Sequence, residues 1–293
     1  MSYSMISKKM MEAMGETKAI KIANPLSLDL EYMRVCLLPG LLEAVAENEK
    51  NFSEAKLFEL ARVYLPAPSS FPRKRESQGL PQEELHFAGV SYGKSAKGEL
   101  FYEAKGFAEK ILEKFGIAEY EIKETDDKNM HPARSCDIYF GNPSSHKATK
   151  GHGEYLGSYG EIHPQAAKNF GIDSRVGFFY FYFGALAKFA KSHKAYSPIP
   201  EYPGIKRDIS FVVESKKEYK DIEEAIYAAD KLIAGVEVFD IYEGKGVPEN
   251  KKSIALHILL RSNDRTLETK EADEVWEKIT GVLKEKFHAE IRM

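Results

Sequence analysis

The side chains able to do chemistry are scattered along this chain and do not converge on one pattern. Only two histidines share a context, His131-Pro132 and His163-Pro164, and neither has carboxylate or cysteine companions at metal-ligand spacing. Turn and capping roles suit both better. Cys36 and Cys136 also lack metal-type spacing and read as buried free thiols in a reducing, cytoplasmic compartment. Gly151-x-Gly153 and Gly244-x-Gly246 miss the Lys-Ser/Thr or third glycine that phosphate loops need. His-Glu-x-x-His, Cys-x-x-Cys and Gly-x-Ser-x-Gly are all absent. Arg34, Arg134, Arg207 and Arg265 stand beside turns or strand ends, where a guanidinium can hold a carboxylate or a phosphate. For Arg207 an internal ion pair competes with an RNA contact. The triplet Arg73-Lys74-Arg75 could meet phosphate, but it lies in the proline-rich Ala67–Pro81 stretch and reads as a solvated loop. The run Phe178 to Phe183 could stack bases; a central strand buried on both faces explains it with less effort. These residues make no self-contained active site, which leaves recognition as the chemistry on offer.

The elements that would position such a recognition surface fall into two regimes. With 293 residues, and roughly 100–200 per domain, two domains are expected. Pro198, Pro200 and Pro203-Gly204 punctuate the chain and place the division at 1–195 and 196–293. The charge of −3 gives no global pull toward polyanions, and no apolar run approaches the ~20 residues of a membrane span. In the first regime, the methionine-rich Ser2–Gly15 reads as the remnant of something that starts further upstream. Pro39 suits a first helical turn, leading a helix to Asn51. Strands are expected at Lys56–Tyr64 (largely buried), His86–Tyr92, Asp137–Phe140, Tyr155–Ile162 and Val176–Ala185, with an amphipathic helix at Tyr102–Phe115 and a polar loop at Asn142–Gly153.

The second regime reads as strand Arg207–Val213, helix Tyr219–Ile233, strand Val236–Tyr242, strand Ser253–Leu260, helix Lys270–Phe287 capped by Thr269, and a closing strand Ala289–Arg292. That order is the split βαβ, ferredoxin-like βαββαβ arrangement, with both helices on one face. Strict alternation turns Ile209, Phe211, Phe239, Ile241, Ile254, Leu256 and Ile258 toward the helices. It leaves Asp208, Ser210, Tyr242, Ser253, His257 and Arg261 on the open face or its margins. Open sheets showing aromatic, histidine and arginine side chains serve as RNA platforms and also as protein interfaces.

Several ordered motifs then resemble one family. They are Asn24-Pro25-Leu26-Ser27, Met33-Arg34, Leu37-Leu38-Pro39-Gly40-Leu41-Leu42, Leu57-Phe58-Glu59-Leu60, His131-Pro132-Ala133-Arg134-Ser135 and Gly157 to Pro164. With Pro203…Lys206-Arg207-Asp208-Ile209, Phe239 to Tyr242, Lys252 to Ala255 and Arg265-Thr266-Leu267, they look like the later part of the phenylalanine–tRNA ligase β subunit. The resemblance implies an α+β chain: a catalytically inactive, class II synthetase-like antiparallel domain, then a ferredoxin-fold anticodon-binding domain. It implies a catalytic α subunit as partner, in a heterotetramer that uses ATP and Mg2+, with no cofactor held by this chain. It also implies tRNA(Phe) as ligand, with Arg207, Tyr242, Ser253, His257, Arg261 and Arg265 as candidate contacts. The family's editing and N-terminal tRNA-binding regions have no counterpart before Met1, so a separate N-terminal β fragment is one expectation. The alternative is a free-standing truncated RNA-binding or scaffold protein without a ligase role. From Pro198 onward sixteen Lys/Arg face twenty Asp/Glu, so any RNA grip rests on shape, stacking and a few placed cations.

Overall fold

Alternating apolar residues and turn chemistry build two large antiparallel sheets and a small two-stranded one in the computed structural model, which describes residues 3–16, 18–66, 81–93, 99–141, 153–191 and 199–292. The chain divides into two compact units, Met1–Ala195 and Tyr196–Met293. The Ala67–Pro81 stretch with its basic triplet, and the Asn142–Gly153 loop, lie outside the described residues except for Pro81 and Gly153.

Unit 1 runs β1 (Met5–Ile6), α1 (Lys8–Ala13), β2 (Tyr32–Met33), α2 (Leu38–Asn48), β3 (Ala55–Leu65), β4 (Gln82–Tyr92), α3 (Glu99–Lys114) and β5 (Tyr120–Glu124). It continues through β6 (Met130–Phe140), β7 (Glu154–Ile162), α4 (Pro164–Asn169), β8 (Val176–Tyr182) and α5 (Phe183–Phe189). Six strands pair antiparallel in the order β3-β4-β8-β7-β6-β5. β8 is central, which is why its aromatic run needs two cores. Val176, Phe178 and Tyr180 pack with Leu38, Leu41, Leu42 and Val45 of α2, while Phe179 and Phe181 pack with Ala104, Ala108 and Leu112 of α3. Pro39 does sit in the first turn of α2. The aromatic strand stops at Tyr182, because Phe183 already opens α5. Strand β3 corrects a further expectation. It is an edge strand with Phe58 and Leu60 exposed, so only its Glu59–Val63 side is buried.

Unit 2 runs β9 (Ile205–Glu214), α6 (Tyr219–Tyr227), β10 (Ile233–Tyr242), β11 (Lys251–Leu260), α7 (Thr269–Phe287) and β12 (Glu290–Arg292). The sheet order is β10-β11-β9-β12, all antiparallel. One core joins Phe211, Ile254, Leu256 and Ile258 of the sheet to Ile222 and Ile226 of α6 and to Val275, Ile279 and Leu283 of α7.

Three expectations for unit 2 are corrected. The first helix ends at Tyr227 rather than Ile233, since Asp230 Oδ1 accepts from Leu232 N–H at 3.0 Å and turns the chain, so that Ile233 pairs with Leu260. The N-cap of α7 is Glu268 rather than Thr269; it forms a capping box with Glu271, whose carboxylate takes the Glu268 N–H at 3.1 Å. Phe239 points away from the helices. The register of β10 slips between Val238 and Asp240, leaving Phe239 as the extra residue of a bulge.

Candidate nucleic-acid interface

Unit 2 presents a sheet face that its helices leave uncovered, and the bulge in β10 decides what stands on it. Val236 and Val238 pair with Ile258 and Leu256 on the helix side, whereas Glu237 pairs with His257 on the open side. The extra residue carries Phe239 across to the open face, 51% exposed, where its ring stacks on His257 with centroids 4.1 Å apart and planes 20° apart. His257 Nδ1 lies 2.6 Å from Asp208 Oδ1 on the neighbouring strand, which fixes the imidazole plane beneath the phenyl ring. Three residues on, about 10 Å along the strand, Tyr242 stands 45% exposed opposite Ser253. Its hydroxyl donates to Lys245 O at 3.4 Å. Gly244, at φ +152°, keeps the ring in place: a Cβ there would lie 2.8 Å from the Tyr242 hydroxyl. Arg292 on the far edge strand donates to Gly246 O at 2.7 Å and ties down the β10–β11 loop.

The six candidate contacts therefore separate into groups. Tyr242, Ser253 and His257 share the open face. Arg261 continues that face one residue past β11, about 26 Å from Ser253 by strand rise. Its Nε is buried and has no hydrogen-bond partner among the described residues. Arg207 lies behind the sheet. It pairs with Ile258 on the helix side, donates to Asp273 of α7 at 2.6 Å and sits over the Trp276 ring at 5.7 Å. Arg265 lies before α7 and holds the Glu271 carboxylate with both terminal nitrogens, keeping that carboxyl down at about 2. Two of the three arginines are thus tied into structural ion pairs. Phe239 is the residue that alternation misplaced, and the adjacency of Val238 and Phe239 is the one sequence sign of the slip.

Unit 1 carries the motif residues and a second concavity. Arg34 and Glu59 form a buried pair at 3.1 Å, with Arg34 Nε donating to Arg62 O at 2.8 Å. Glu161 is buried between Arg134 at 3.0 Å and Arg175. His163 caps α4 by accepting from Gln165 N–H, and His131 accepts from Ala133 N–H, so both serve as turn and cap residues. A cavity of about 300 Å³ is lined by Cys36, Tyr155, Ser158, Tyr180 and Tyr182, with Glu16, Asp127 and Lys18 as the charges among its described lining residues. Burial, with Asp127 adding to it, raises the Glu16 carboxyl; burial and then Glu16 push the Cys36 thiol up to about 12. Among the described residues, no cluster of three or more His, Cys, Asp or Glu could hold a metal, and no helix is long and apolar enough to cross a membrane.

Comparison with known proteins divides the chain the same way. Residues 1–183 match the family described as phenylalanyl tRNA synthetase beta chain CLM domain, and residues 200–292 match the ferredoxin-fold anticodon binding domain. The phenylalanine–tRNA ligase beta subunit of Geobacter metallireducens is 35% identical, covering 93% of this chain and 33% of that protein. Its counterpart in Clostridium tetani is 30% identical, covering 99% of this chain and 35% of that protein. The chain thus spans about a third of the length of the curated relatives it matches. Among solved structures, Desulfitobacterium hafniense PylSc, a pyrrolysyl tRNA synthetase, aligns over 66% of each chain at 16% identity and a TM-score of 0.47.

Proposed function

The chain belongs to the phenylalanyl-tRNA synthetase β-chain family, and from that premise we propose that it is a non-catalytic β-type portion of phenylalanine–tRNA ligase. In this reading unit 2 binds tRNA(Phe) at its anticodon end and unit 1 packs on a catalytic α subunit, which supplies the ATP- and Mg2+-dependent chemistry. The observation that carries the reading is the exposed Phe239–His257 stack, with Tyr242 beside it, on the open sheet of a domain that matches an anticodon-binding family. Aromatic faces of this kind stack unpaired bases, and an anticodon loop offers them.

The test is anisotropy titration of a labelled tRNA(Phe) anticodon stem-loop with the full chain. Phe239→Ala and Tyr242→Ala are each expected to weaken binding by about 5- to 150-fold, corresponding to roughly 1–3 kcal/mol per stacked base. Arg207→Ala is expected to lower the melting temperature of unit 2 while leaving affinity unchanged at temperatures where it is folded. Unchanged affinity in both aromatic variants would overturn the proposed face. The α-subunit contact is tested by co-expression and light-scattering mass. Two separate species would sink it and leave the free-standing RNA-binding reading.

A further inference from the structure

Among the described residues, unit 1 leaves part of its sheet bare. Helix α3 lies over β7 and β8, and α5 covers the end of β8 and part of β4. On that same side β3 carries Lys56, Phe58, Leu60 and Arg62, since the alternate residues face α2. Phe58 is 75% exposed and Leu60 47%. The register sets Phe58 beside Gly89, Leu60 beside Phe87 and Arg62 beside Leu85, which is also exposed. Gly89 keeps the strip flat: a Cβ there would lie 2.5 Å from the Phe179 ring, which fills the space beneath. A groove of about 460 Å³ runs between this strip and α3, and the charged residues among its described lining are Lys56, Lys110 and Lys114, all of one sign.

The dimensions fit one helix. From the β7/β8 midline under α3 to the β3/β4 midline is two strand spacings, about 9.6 Å, within the 8–10 Å at which packed helices sit side by side. From Lys56 to Arg62 the strip runs about 20 Å, the length of roughly 13 helical residues. Leu60 and Leu85 lie outside the groove itself, so the apolar strip extends past anything a small molecule seated there would cover. Lys110 is held by Glu113 in a largely exposed pair, the kind that a partner's carboxylate exchanges at little cost.

The geometry points to a docking site on the β3–β4 strip for an amphipathic α-helix of a partner protein, its apolar stripe flanked by Asp or Glu on the side facing α3. Residues at i, i+3/i+4 and i+7 of that helix cover Phe58, Leu60, Leu85 and Phe87, while its carboxylates meet Lys110 and Lys114. The site lies on the other unit from the RNA face and does not depend on that assignment.

The probe is a fluorescein-labelled helical peptide of about 18 residues, some 27 Å long, with a Leu/Phe stripe flanked by Glu. Its controls carry Lys flanks or a shuffled stripe. Titrated with the full chain, the Glu-flanked peptide is expected to bind at least tenfold tighter than either control and to weaken with added salt. The exposed-site changes Phe58→Ser and Leu60→Ser reduce it to control level. The double variant Lys110→Glu/Lys114→Glu reverses the preference toward the Lys-flanked peptide, which keeps the test decisive if a β3 variant fails to fold. Equal binding of all three peptides would overturn the proposal. So would a dimer of the free chain that Phe58→Ser converts to monomer, because a second copy would then be the occupant. Saturable binding of laurate in the groove without any peptide binding would overturn it as well.

Discussion

Glu59 and Glu161 show how the motif glutamates of unit 1 earn their places without chemistry. Each is buried against arginine, Glu59 on Arg34 and Glu161 between Arg134 and Arg175. Removing Glu59 takes its carboxylate away from a guanidinium that stays buried. Glu59→Ala is therefore expected to destabilise unit 1 by about 3–5 kcal/mol, and Arg34→Met/Glu59→Leu by much less; urea unfolding of the three proteins checks this. His86 gives a pH dependence. Burial holds its imidazole below the ordinary 6.5, even with the Glu84 carboxylate 3.1 Å from Nε2 and the Tyr180 hydroxyl on Nδ1. Below about 6.5 the unfolded chain binds a proton that the folded chain does not, so stability falls as pH drops from 6.5 to the lower folded value. A His86 Cε1–H titration by NMR should show a midpoint under 6.5, and His86→Gln should flatten that part of the stability curve. A midpoint at or above 6.5 would refute the account.

At the scale of elements, irregularities decide what the regular parts display. In β7, Gly160 adopts φ +145° where the β6 pairing slips between Met130 and Ser135. A Cβ there would sit 2.3 Å from Arg134 O. Gly160→Ala should cost at least about 2 kcal/mol through the clash and the backbone conformation, visible as a lower urea midpoint with an unchanged slope. The same lesson bounds what the sequence could tell. Period-two alternation was enough for β9, β11 and the two-sided β8, because uninterrupted pairing leaves the period intact. It failed at Phe239, where one added residue reverses facing; helical spacing failed at Ile233, because Asp230 ends α6 through a side-chain bond that spacing does not encode. Ion pairing was the harder part to read. Nothing local marks Asp273 or Glu271 as the ion-pair partner of Arg207 or Arg265.

Across the whole molecule, charge is nearly balanced at −3, and unit 2 alone has sixteen Lys/Arg against twenty Asp/Glu from Pro198 onward. With Arg207 behind the sheet and acidic residues in excess, RNA affinity should depend little on counterion release. Between 50 and 200 mM salt it should fall by about tenfold or less, against the far steeper loss of a protein that neutralises many phosphates; a steep log–log slope would place basic contacts beyond this face. The edges of the two sheets differ in a further way. Strand β10, the outer strand of unit 2, slips register twice and carries Glu237 and Asp240, so it offers no flat template to an incoming strand. Strand β3 of unit 1 pairs with β4 without a slip over eleven residues, and beyond the bonds that Arg34 makes at Arg62 and Tyr64 its outer edge carries exposed phenylalanine and leucine. Aggregation of this chain on storage or overexpression should therefore nucleate by strand addition at β3, and a lysine in place of Leu60 is the single change best placed to keep it in solution.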